Sequence, residues 1–199
     1  MKKGVAVFTF MLLVFLPLSA YSGPPLETVK GYVNRVLDVL RDSALRGEAG
    51  RKVKKDKIRT ISEEMFDFTE LSKRSLGQTW NKMTPDQQKE FINLYRLLLE
   101  ETYAEKITSY TDEKLVLGKE ITLSERTVEV QTTIFTKTSE VPMNYRVIEE
   151  KGYWKVYDVV VEGVSLISNY RSQFREILAN KTPEALLDVL RKKVKAQTS

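Results

Sequence analysis

Apolar residues recur at three- and four-residue spacing across residues 27–110, which is the period of amphipathic helices. The pattern predicts four helices, over residues 27–46, over residues 51–65, from residue 67 onward, and over residues 85–110. In the first of them the valines and leucines share one face, and the charged residues lie elsewhere. We therefore expect the first half of the domain to consist of helices that bury one face each.

Glycine, proline and capping residues mark the boundaries of these helices. Gly47 and Gly50 are expected to interrupt the chain between the first two helices. Asp67 is the expected N-cap of the third helix, with Glu70 at the capping-box position. The stretch of residues 84–87 opens the fourth helix in the same way, with a proline at the first helical position, where its missing N–H costs nothing.

Beyond Lys114 the apolar period changes from helical to two, as in half-buried strands. Four strands are predicted, over residues 115–123, 127–137, 141–150 and 153–162. The short connections between them indicate an antiparallel meander. After Gly163 the helical period returns, with one helix over residues 166–178 and a last helix opened by Thr182 and Pro183.

An antiparallel sheet with helices before and after it in the chain is typical of an α+β domain. We expect a four-stranded antiparallel sheet with helices packed over it. Long helices folded over one face of such a sheet can form a cone around a cavity. The helix over residues 85–110 has apolar side chains well beyond one face, so it needs more than one apolar neighbour. The pattern leaves open whether side chains or a ligand fill the cavity.

The N-terminal residues have the pattern of a secretory signal peptide. Lys2 and Lys3 precede an uncharged apolar run over residues 5–16, and Ala20 and Ser22 offer small residues before a cleavage point. The run is shorter than the roughly 20 apolar residues that span a membrane. We expect residues 1–22 to be cleaved and residues 23–199 to form one exported domain, with an uncleaved N-terminal anchor as the alternative.

The chain contains no histidine and no cysteine, and its formal net charge is +5. Zinc sites of Cys and His, haem held by His, and nucleophiles activated by His therefore have no counterpart here. Adjacent carboxylates such as Glu100 and Glu101 point in different directions on a helix, which indicates surface charge rather than glycosidase chemistry. The glycines form no nucleotide-binding motif. We expect no enzymatic activity, no metal and no cofactor.

The basic run over residues 51–59 permits two further interpretations. A nucleic-acid surface conflicts with export, so a solvated helix face is the default interpretation and no nucleic-acid partner is expected. The alternative is that this run, together with Arg191, Lys192, Lys193 and Lys195, faces acidic partner surfaces or anionic lipid head groups.

Two blocks of residues resemble a known family. The first comprises Phe66, Asp67, Phe68, Leu76, Gly77, Trp80, Gln88, Phe91, Leu98 and Tyr103. The second, over residues 154–174, reads WxVYDVxxEGVSLxxNYRxQF. Both resemble the MlaC, or toluene-tolerance, family of periplasmic phospholipid carriers, and the resemblance extends over essentially all of residues 23–199.

The resemblance implies a fold, a cargo and partners. The implied fold is a nuclear-transport-factor-2-like cone that encloses the acyl chains in an apolar cavity. The implied function is to shuttle phospholipid between the outer membrane and an inner-membrane ABC transporter, and so to maintain outer-membrane lipid asymmetry. The implied partners are phospholipid, the transporter complex with its membrane-anchored lipid-binding subunit, and an outer-membrane lipoprotein complex.

The candidate lipid-binding residues combine this resemblance with the apolar pattern. They are Leu76, Trp80, Phe91, Tyr95, Leu98, Tyr103, Val130, Tyr145, Val147, Trp154, Val156, Val164, Tyr170, Arg171 and Phe174. Arg171 follows the glycine turn, where a phosphate could reach it. Taken singly, Phe91, Leu98, Trp154 and Phe174 fit ordinary core better than ligand lining, and Tyr170 with Arg171 can equally be a structural pair. The corresponding alternative function is an exported protein-binding adaptor with a solid core and no lipid cargo.

Overall fold

A computed structural model describes residues 24–108, 114–136 and 138–198. The predicted signal peptide over residues 1–22 lies outside the described residues. So do the predicted ends of the fourth helix at Tyr110 and of the second strand at Lys137. Within the described ranges, no helix has the length and apolar character needed to cross a membrane.

The described residues form six α-helices and five β-strands, with four helices first, then the strands and then two helices, which is the predicted order. The helices are α1 (Pro24–Arg41), α2 (Gly47–Met65), α3 (Phe68–Leu76), α4 (Pro85–Thr108), α5 (Leu166–Leu178) and α6 (Pro183–Thr198), with short 3₁₀ turns at Ser43–Leu45 and Gly77–Lys82. The strands are β1 (Lys114–Ser124), β2 (Thr127–Phe135), β3 (Glu140–Glu150), β4 (Tyr153–Val161) and β5 (Val164–Ser165). The α+β class and the antiparallel meander are confirmed.

The predicted helix starts agree with the cap geometry. Asp67 Oδ1 accepts a hydrogen bond from the Glu70 N–H at 2.8 Å, so Asp67 is the N-cap of α3. At the start of α4, Thr84 Oγ1 accepts from the Gln87 N–H at 3.3 Å, and Gln87 Oε1 accepts from the Thr84 N–H at 3.1 Å. This reciprocal pair satisfies two of the N–H groups that the first helical turn leaves free.

The break between α1 and α2 agrees with the prediction at Gly47, whose φ angle is 80°, and differs from it at Gly50. Helix α1 ends at Arg41, and α2 begins at Gly47, so Gly50 lies inside α2 rather than between the helices. Gly50 is buried, and a Cβ at its position would lie 2.2 Å from the Leu45 carbonyl oxygen. The prediction for Gly50 was therefore wrong, because this glycine permits a close backbone approach instead of ending a helix.

The sheet contains one strand more than predicted. Its order is β1-β2-β3-β4-β5, and every neighbouring pair is antiparallel. Strand β5 has two residues and pairs with the end of β4 across Glu162 and Gly163, whose φ angles are 48° and 82°. Two consecutive positive φ angles are the pattern of a type I′ hairpin turn, in which glycine is favoured. The cone shape stays a prediction.

Asp158 joins the sheet to helix α5. Its buried carboxylate accepts hydrogen bonds from Ser165 Oγ at 2.6 Å and from the Ile167 N–H at 3.0 Å, while Arg146 Nη1 donates to it at 3.2 Å. A carboxylate beside the first turn of a helix interacts favourably with the helix dipole. This contact explains how an apolar strand can pass through a tight turn directly into a helix.

Two hydrophobic cores lie on different parts of the fold. The helical core consists of Leu71, Leu76, Met83, Phe91, Leu94, Tyr95, Leu98, Leu99, Tyr157, Ile167, Tyr170, Phe174, Leu186, Leu187 and Leu190. The sheet core consists of Leu26, Val29, Val33, Met65, Val130, Tyr145, Val147 and Val156. Helices α3 to α6 supply most of the first core, whereas α1 and one face of the sheet supply most of the second. A cavity borders both cores.

Candidate functional site

A cavity of about 540 Å³ lies between helices α1, α2 and α4, the sheet, and the start of α5. Its wall consists of Val33, Val36, Leu37, Leu40, Ile58, Ile61, Ser62, Met65, Phe66, Phe68, Leu99, Glu100, Tyr103, Lys106, Ile107, Leu115, Ile134, Met143, Tyr145, Val159, Val161, Val164, Ser165, Leu166 and Asn169. The volume is within the range of about 300–1,000 Å³ that is common for small-molecule sites. The wall is mainly apolar.

Each element presents its predicted apolar face to the cavity. On α1 the residues from Val33 to Leu40 recur at helical spacing, and Ile58, Ile61 and Met65 do the same on α2. On the sheet the lining residues alternate with residues of the opposite face, so Met143 and Tyr145 on β3 lie beside Val159 and Val161 on β4. The periodicity of the sequence therefore produces the apolar wall directly.

Phe66 and Phe68 belong to the part of the wall that the chain fixes to the sheet. The N–H of Asp67, which lies between them, donates to the Val156 carbonyl at 2.8 Å. The two phenylalanine rings stack with their centroids 5.6 Å apart. A backbone hydrogen bond to β4 thus holds both rings at the cavity.

The polar groups of the wall are few and are concentrated on α2, α4 and α5. They are Ser62, Glu100, Lys106, Ser165 and Asn169, together with the hydroxyl groups of Tyr103 and Tyr145. Burial raises the pKa of Tyr103, so this phenol stays neutral near pH 7. Glu100 carries a formal charge but accepts hydrogen bonds from Arg59 Nε at 3.1 Å and Arg96 Nη1 at 2.8 Å. The cavity therefore suits an apolar ligand with at most a small polar part.

Three of the predicted site residues lie on the cavity wall, namely Tyr103, Tyr145 and Val164. The structure places the other candidates elsewhere. Leu76, Phe91, Tyr95, Leu98, Tyr170 and Phe174 are members of the helical core, and Trp80 packs against it. Val130, Val147 and Val156 are members of the sheet core, and Trp154 packs against it. These side chains lie in the packed layers behind the cavity wall, where neighbouring side chains fill the space.

Arg171 is held by the protein itself. Its Nε and Nη2 atoms donate to the Arg74 carbonyl oxygen, at 2.9 Å and 2.6 Å. This bidentate contact ties α5 to the C-terminal end of α3, where carbonyl groups lack helical partners. The structural interpretation of Arg171 accounts for these contacts without a phosphate.

The α1 and α2 side chains of the wall were not among the predicted site residues. Val36, Leu37, Ile58 and Ile61 lie on apolar stripes that the sequence made visible, but these stripes were interpreted as packing faces. An apolar stripe shows which face of a helix is buried. It does not show whether the side chains of the neighbouring element fill the space beside that face. Among the described residues, no group of three acidic side chains is arranged to hold a metal ion.

Comparison with known proteins identifies the family. The family model described as MlaC protein matches residues 30–192. The chain belongs to the MlaC family.

Two relatives of this MlaC-family protein are similar over most of its length. It is 23% identical over 198 residues to the intermembrane phospholipid transport system binding protein MlaC of Haemophilus influenzae, and the match covers 94% of this chain and 91% of the relative. It is 21% identical over 180 residues to the toluene tolerance protein ttg2D of Pseudomonas putida, with 89% of this chain and 82% of the relative covered. The family resemblance noted in the sequence is confirmed.

A solved structure has the same fold as this MlaC-family chain. It is a phospholipid-binding protein from Ralstonia solanacearum in complex with a phospholipid, with a TM-score of 0.78 and 23% sequence identity. The match covers 89% of this chain and all of the other. The likeness confirms the predicted packing of helices on an antiparallel sheet.

Proposed function

We propose that this MlaC-family chain is a periplasmic phospholipid carrier that moves lipid between the outer membrane and an inner-membrane ABC transporter, and so helps to maintain outer-membrane lipid asymmetry. The observation that supports the proposal most strongly is the apolar cavity of about 540 Å³. The names of the Haemophilus influenzae relative and of the solved structure support the same cargo. The predicted signal peptide supports a location outside the cytoplasm.

The energetics of acyl chains explain why such a carrier needs a cavity. Burial of one methylene group contributes about 0.8 kcal/mol, so two chains of about 16 carbons represent roughly 25 kcal/mol. Free diffusion of a phospholipid through water is therefore negligible. A carrier has to keep the chains out of water throughout the journey, and apolar side chains from three helices and the sheet provide that environment here.

The same magnitude implies that release needs a partner. Noncovalent affinities saturate near −18 to −21 kcal/mol, and dissociation slows as affinity rises. Transfer of the chains directly into the apolar channel of a partner or into a bilayer offsets the cost, because the chains never meet water. The proposed partners are the transporter complex with its membrane-anchored lipid-binding subunit and an outer-membrane lipoprotein complex. We expect slow lipid release in buffer and faster release on contact with either.

We propose a binding function without catalysis. The chain has no histidine or cysteine that could activate a nucleophile or act as one. The carboxylate on the cavity wall, Glu100, accepts a hydrogen bond from an arginine at each of its two oxygens. Phospholipid incubated with the protein should remain intact, and hydrolysis that follows the protein through successive columns would contradict this part of the proposal.

The alternative function, a protein-binding adaptor, assumed that the apolar residues fill a solid core. The helical core fits that assumption, but the space between α1, α2, α4 and the sheet does not. An unfilled apolar space of this size lowers the stability of a protein unless something occupies it. The cavity therefore favours the carrier over the adaptor.

Lipid analysis of the purified protein tests the proposal. Protein isolated gently from a bacterial envelope is extracted with organic solvent and analysed by mass spectrometry. We expect diacyl phospholipid at up to one molecule per chain. An exported protein without an apolar cavity, purified in parallel, measures lipid carried over from the membranes. A lipid content no higher than that of the control would instead support the adaptor function.

A further inference from the structure

Helix α2 meets helix α4 through a row of charged side chains. Lys55 Nζ lies 2.5 Å from Glu101 Oε2, Arg59 Nε donates to Glu100 Oε2 at 3.1 Å, and a third contact joins Arg96 of α4 to Glu63 of α2 at 2.8 Å. Here these six residues, Lys55, Arg59, Glu63, Arg96, Glu100 and Glu101, are called the α2–α4 seam. The side chains of Glu100 and Glu101 are only 8% and 9% exposed. Lys55 and Arg59 are each 35% exposed, and Glu63 is 48% exposed. The seam therefore joins two buried carboxylates of α4 to partly exposed side chains of α2.

Helix α2 has few buried apolar anchors compared with α4. The buried apolar side chains of α2 are Ile61 and Met65, whereas α4 buries five aromatic or leucine side chains. Between residues 51 and 59, α2 is predominantly basic, and Ile58 is its only side chain on the cavity wall in this range. Since apolar burial is the main force that holds helices together, α2 is attached more weakly than the helices of the helical core.

The cavity wall is thin along the seam. A small cleft of about 60 Å³ lies between α2 and α4. Ile58, Ser62, Glu100 and Ile107 line both this cleft and the large cavity. A single layer of side chains therefore separates the cavity from the outer side of the α2–α4 junction.

We propose that the α2–α4 seam is a lateral gate of the cavity. Helix α2 moves away from α4, the ion pairs open, and an acyl chain passes sideways between Ile58 and Ile107. This inference rests on the proposed carrier function for the identity of the ligand, but the opening itself is a property of the protein. Through this gate a long acyl chain enters or leaves the cavity sideways, along its whole length.

Charged contacts suit a gate that opens and closes repeatedly. When α2 moves away, water hydrates the carboxylates and the cations, and this hydration offsets much of the lost attraction. An apolar interface gains nothing comparable when it is exposed to water. On closing, the hydrogen bonds from Arg59 to Glu100 and from Arg96 to Glu63 have a fixed geometry, so α2 returns to one register against α4.

Substitution of Ser62 by cysteine makes the opening of the seam measurable in the absence of lipid. The chain has no other cysteine, and Ser62 lines both the cleft and the cavity. The rate at which a thiol reagent modifies S62C is measured with the seam intact and with Glu100→Gln and Glu101→Gln added. We expect modification to become about tenfold faster in the seam variant, which corresponds to about 1.4 kcal/mol.

Glu90→Gln is the matched control for the seam variant. Glu90 lies on the same helix and pairs with Arg191 of α6 at 2.7 Å and 2.8 Å, on a side of α4 that does not line the cavity. Its substitution should leave the S62C modification rate unchanged. An equal acceleration in both variants, or none in a seam variant that melts normally by circular dichroism, contradicts the gate.

A covalent tie across the seam tests the passage of lipid. Lys55→Cys and Glu101→Cys are joined by a bifunctional thiol reagent, and the exchange of a fluorescent phospholipid with phosphatidylethanolamine and phosphatidylglycerol vesicles is followed. We expect the tie to slow exchange at least about tenfold relative to the same variant before joining, because α2 can no longer leave α4. Exchange at an unchanged rate would overturn the proposal.

The control tie joins α4 to α6 through Glu90→Cys and Arg191→Cys, and it should leave exchange unchanged. If both ties slow exchange equally, general stiffening rather than the seam is responsible, and the gate is wrong. If the protein carries no lipid at all, the carrier function fails while the S62C measurement still decides whether the seam opens. The two failures are therefore distinguishable.

Discussion

The two halves of helix α4 lie in regions with opposite packing. In the N-terminal half, Phe91 and Tyr95 pack against Tyr170 and Phe174, with ring centroids 5.1 to 5.7 Å apart. In the C-terminal half, Leu99, Tyr103 and Ile107 border a cavity of about 540 Å³. Both halves are rich in apolar residues, so the helix itself does not explain the difference.

The elements that neighbour each half of α4 explain this difference in packing. Helices α5 and α6 deliver large aromatic and leucine side chains to the N-terminal half, and these fill the space to the density of an ordinary core. The C-terminal half faces α2, whose contacts with α4 are mainly ionic, and a sheet that presents mostly valines and other medium-sized residues. The N-terminal half of α4 with its neighbours on α5 and α6, here called the solid region, supplies a rigid frame. The C-terminal half borders the cavity, which leaves room for a ligand. Substitutions at five positions separate these two roles.

The largest difference in folding and in lipid content is expected between Val147→Glu and Val159→Glu. Val147 is fully buried in the sheet core, whereas Val159 is half-buried on the neighbouring strand and lines the cavity. An unpaired carboxylate in the core costs several kcal/mol, which is comparable with the stability of a domain, so V147E should fail to accumulate. V159E can reach the cavity space and should fold, but with much less lipid.

Circular-dichroism melting and lipid stoichiometry on both valine variants check this contrast. A V159E protein that is well folded and has the lipid content of the unmodified protein would show that Val159 does not contact lipid. A stable V147E protein would show that the sheet core tolerates water at this position.

Phe91→Ala should strongly destabilise the solid region without altering the wall. Phe91 is fully buried and packs edge-on against Phe174 at 5.4 Å. Truncation of a buried phenylalanine costs about 3–5 kcal/mol. Urea unfolding should report this loss, while the folded fraction keeps its lipid content. A selective loss of lipid without loss of stability would mean that Phe91 belongs to the wall after all.

High pH should destabilise the solid region through Tyr95. Burial raises the pKa of this phenol well above its usual value of 10.0. Above pH 10 the unfolded chain therefore releases a proton that the folded protein retains, and stability falls with a slope of about 1.4 kcal/mol per pH unit for one such group. The stabilising difference is fully present below pH 10 and is lost as the pH rises toward the folded pKa.

Tyr95→Phe isolates this contribution. The variant loses the hydrogen bond between the Tyr95 and Ser75 hydroxyl groups, which are 3.3 Å apart, and so should be slightly less stable at pH 7. Denaturant unfolding between pH 9 and about pH 11 should show a shallower decline than in the unmodified protein. Tyr103, Tyr157 and Tyr170, whose pKa values burial also raises, contribute to the remaining slope. Parallel declines in the two proteins would exclude Tyr95 as the source.

The smallest effect is expected for Arg171→Gln. Arg171 donates two hydrogen bonds to the Arg74 carbonyl from an exposed position, so its loss should cost about 1 kcal/mol and leave lipid content unchanged. Arg171→Lys, which keeps the charge but not the bidentate geometry, should behave in the same way. Loss of lipid in the Gln variant but not in the Lys variant would instead assign Arg171 to a phosphate.

Much of the fold was predictable because its determinants act over a few residues. The caps at Asp67 and Thr84 locate the starts of α3 and α4, and the short connections between strands imply the antiparallel order. Strand β5 was missed, since two residues are too short to produce a periodic pattern. Gly50 was misinterpreted because its close approach to Leu45 depends on how the chain folds back on itself.

Much less of the site was predictable. Tyr145 and Val147 lie on the same face of β3 and both belong to the sheet core, yet only Tyr145 also lines the cavity. Arg171 follows the glycine turn, but its hydrogen-bond partner lies 97 residues earlier in the chain. In both cases the deciding neighbour is distant in sequence.

The sequence by itself determined the elements, their order, the family and the absence of thiol and imidazole chemistry. These depend on residue type and local periodicity, which are fully written in the chain. Only the tertiary structure decided which apolar faces meet and which leave a gap, and that charged side chains join α2 to α4. Hydrophobic burial is non-directional, so a stripe of apolar residues requires only that its helix or strand face be buried. The shapes and distances of the neighbouring elements decide whether that face lies in a filled core or beside a cavity.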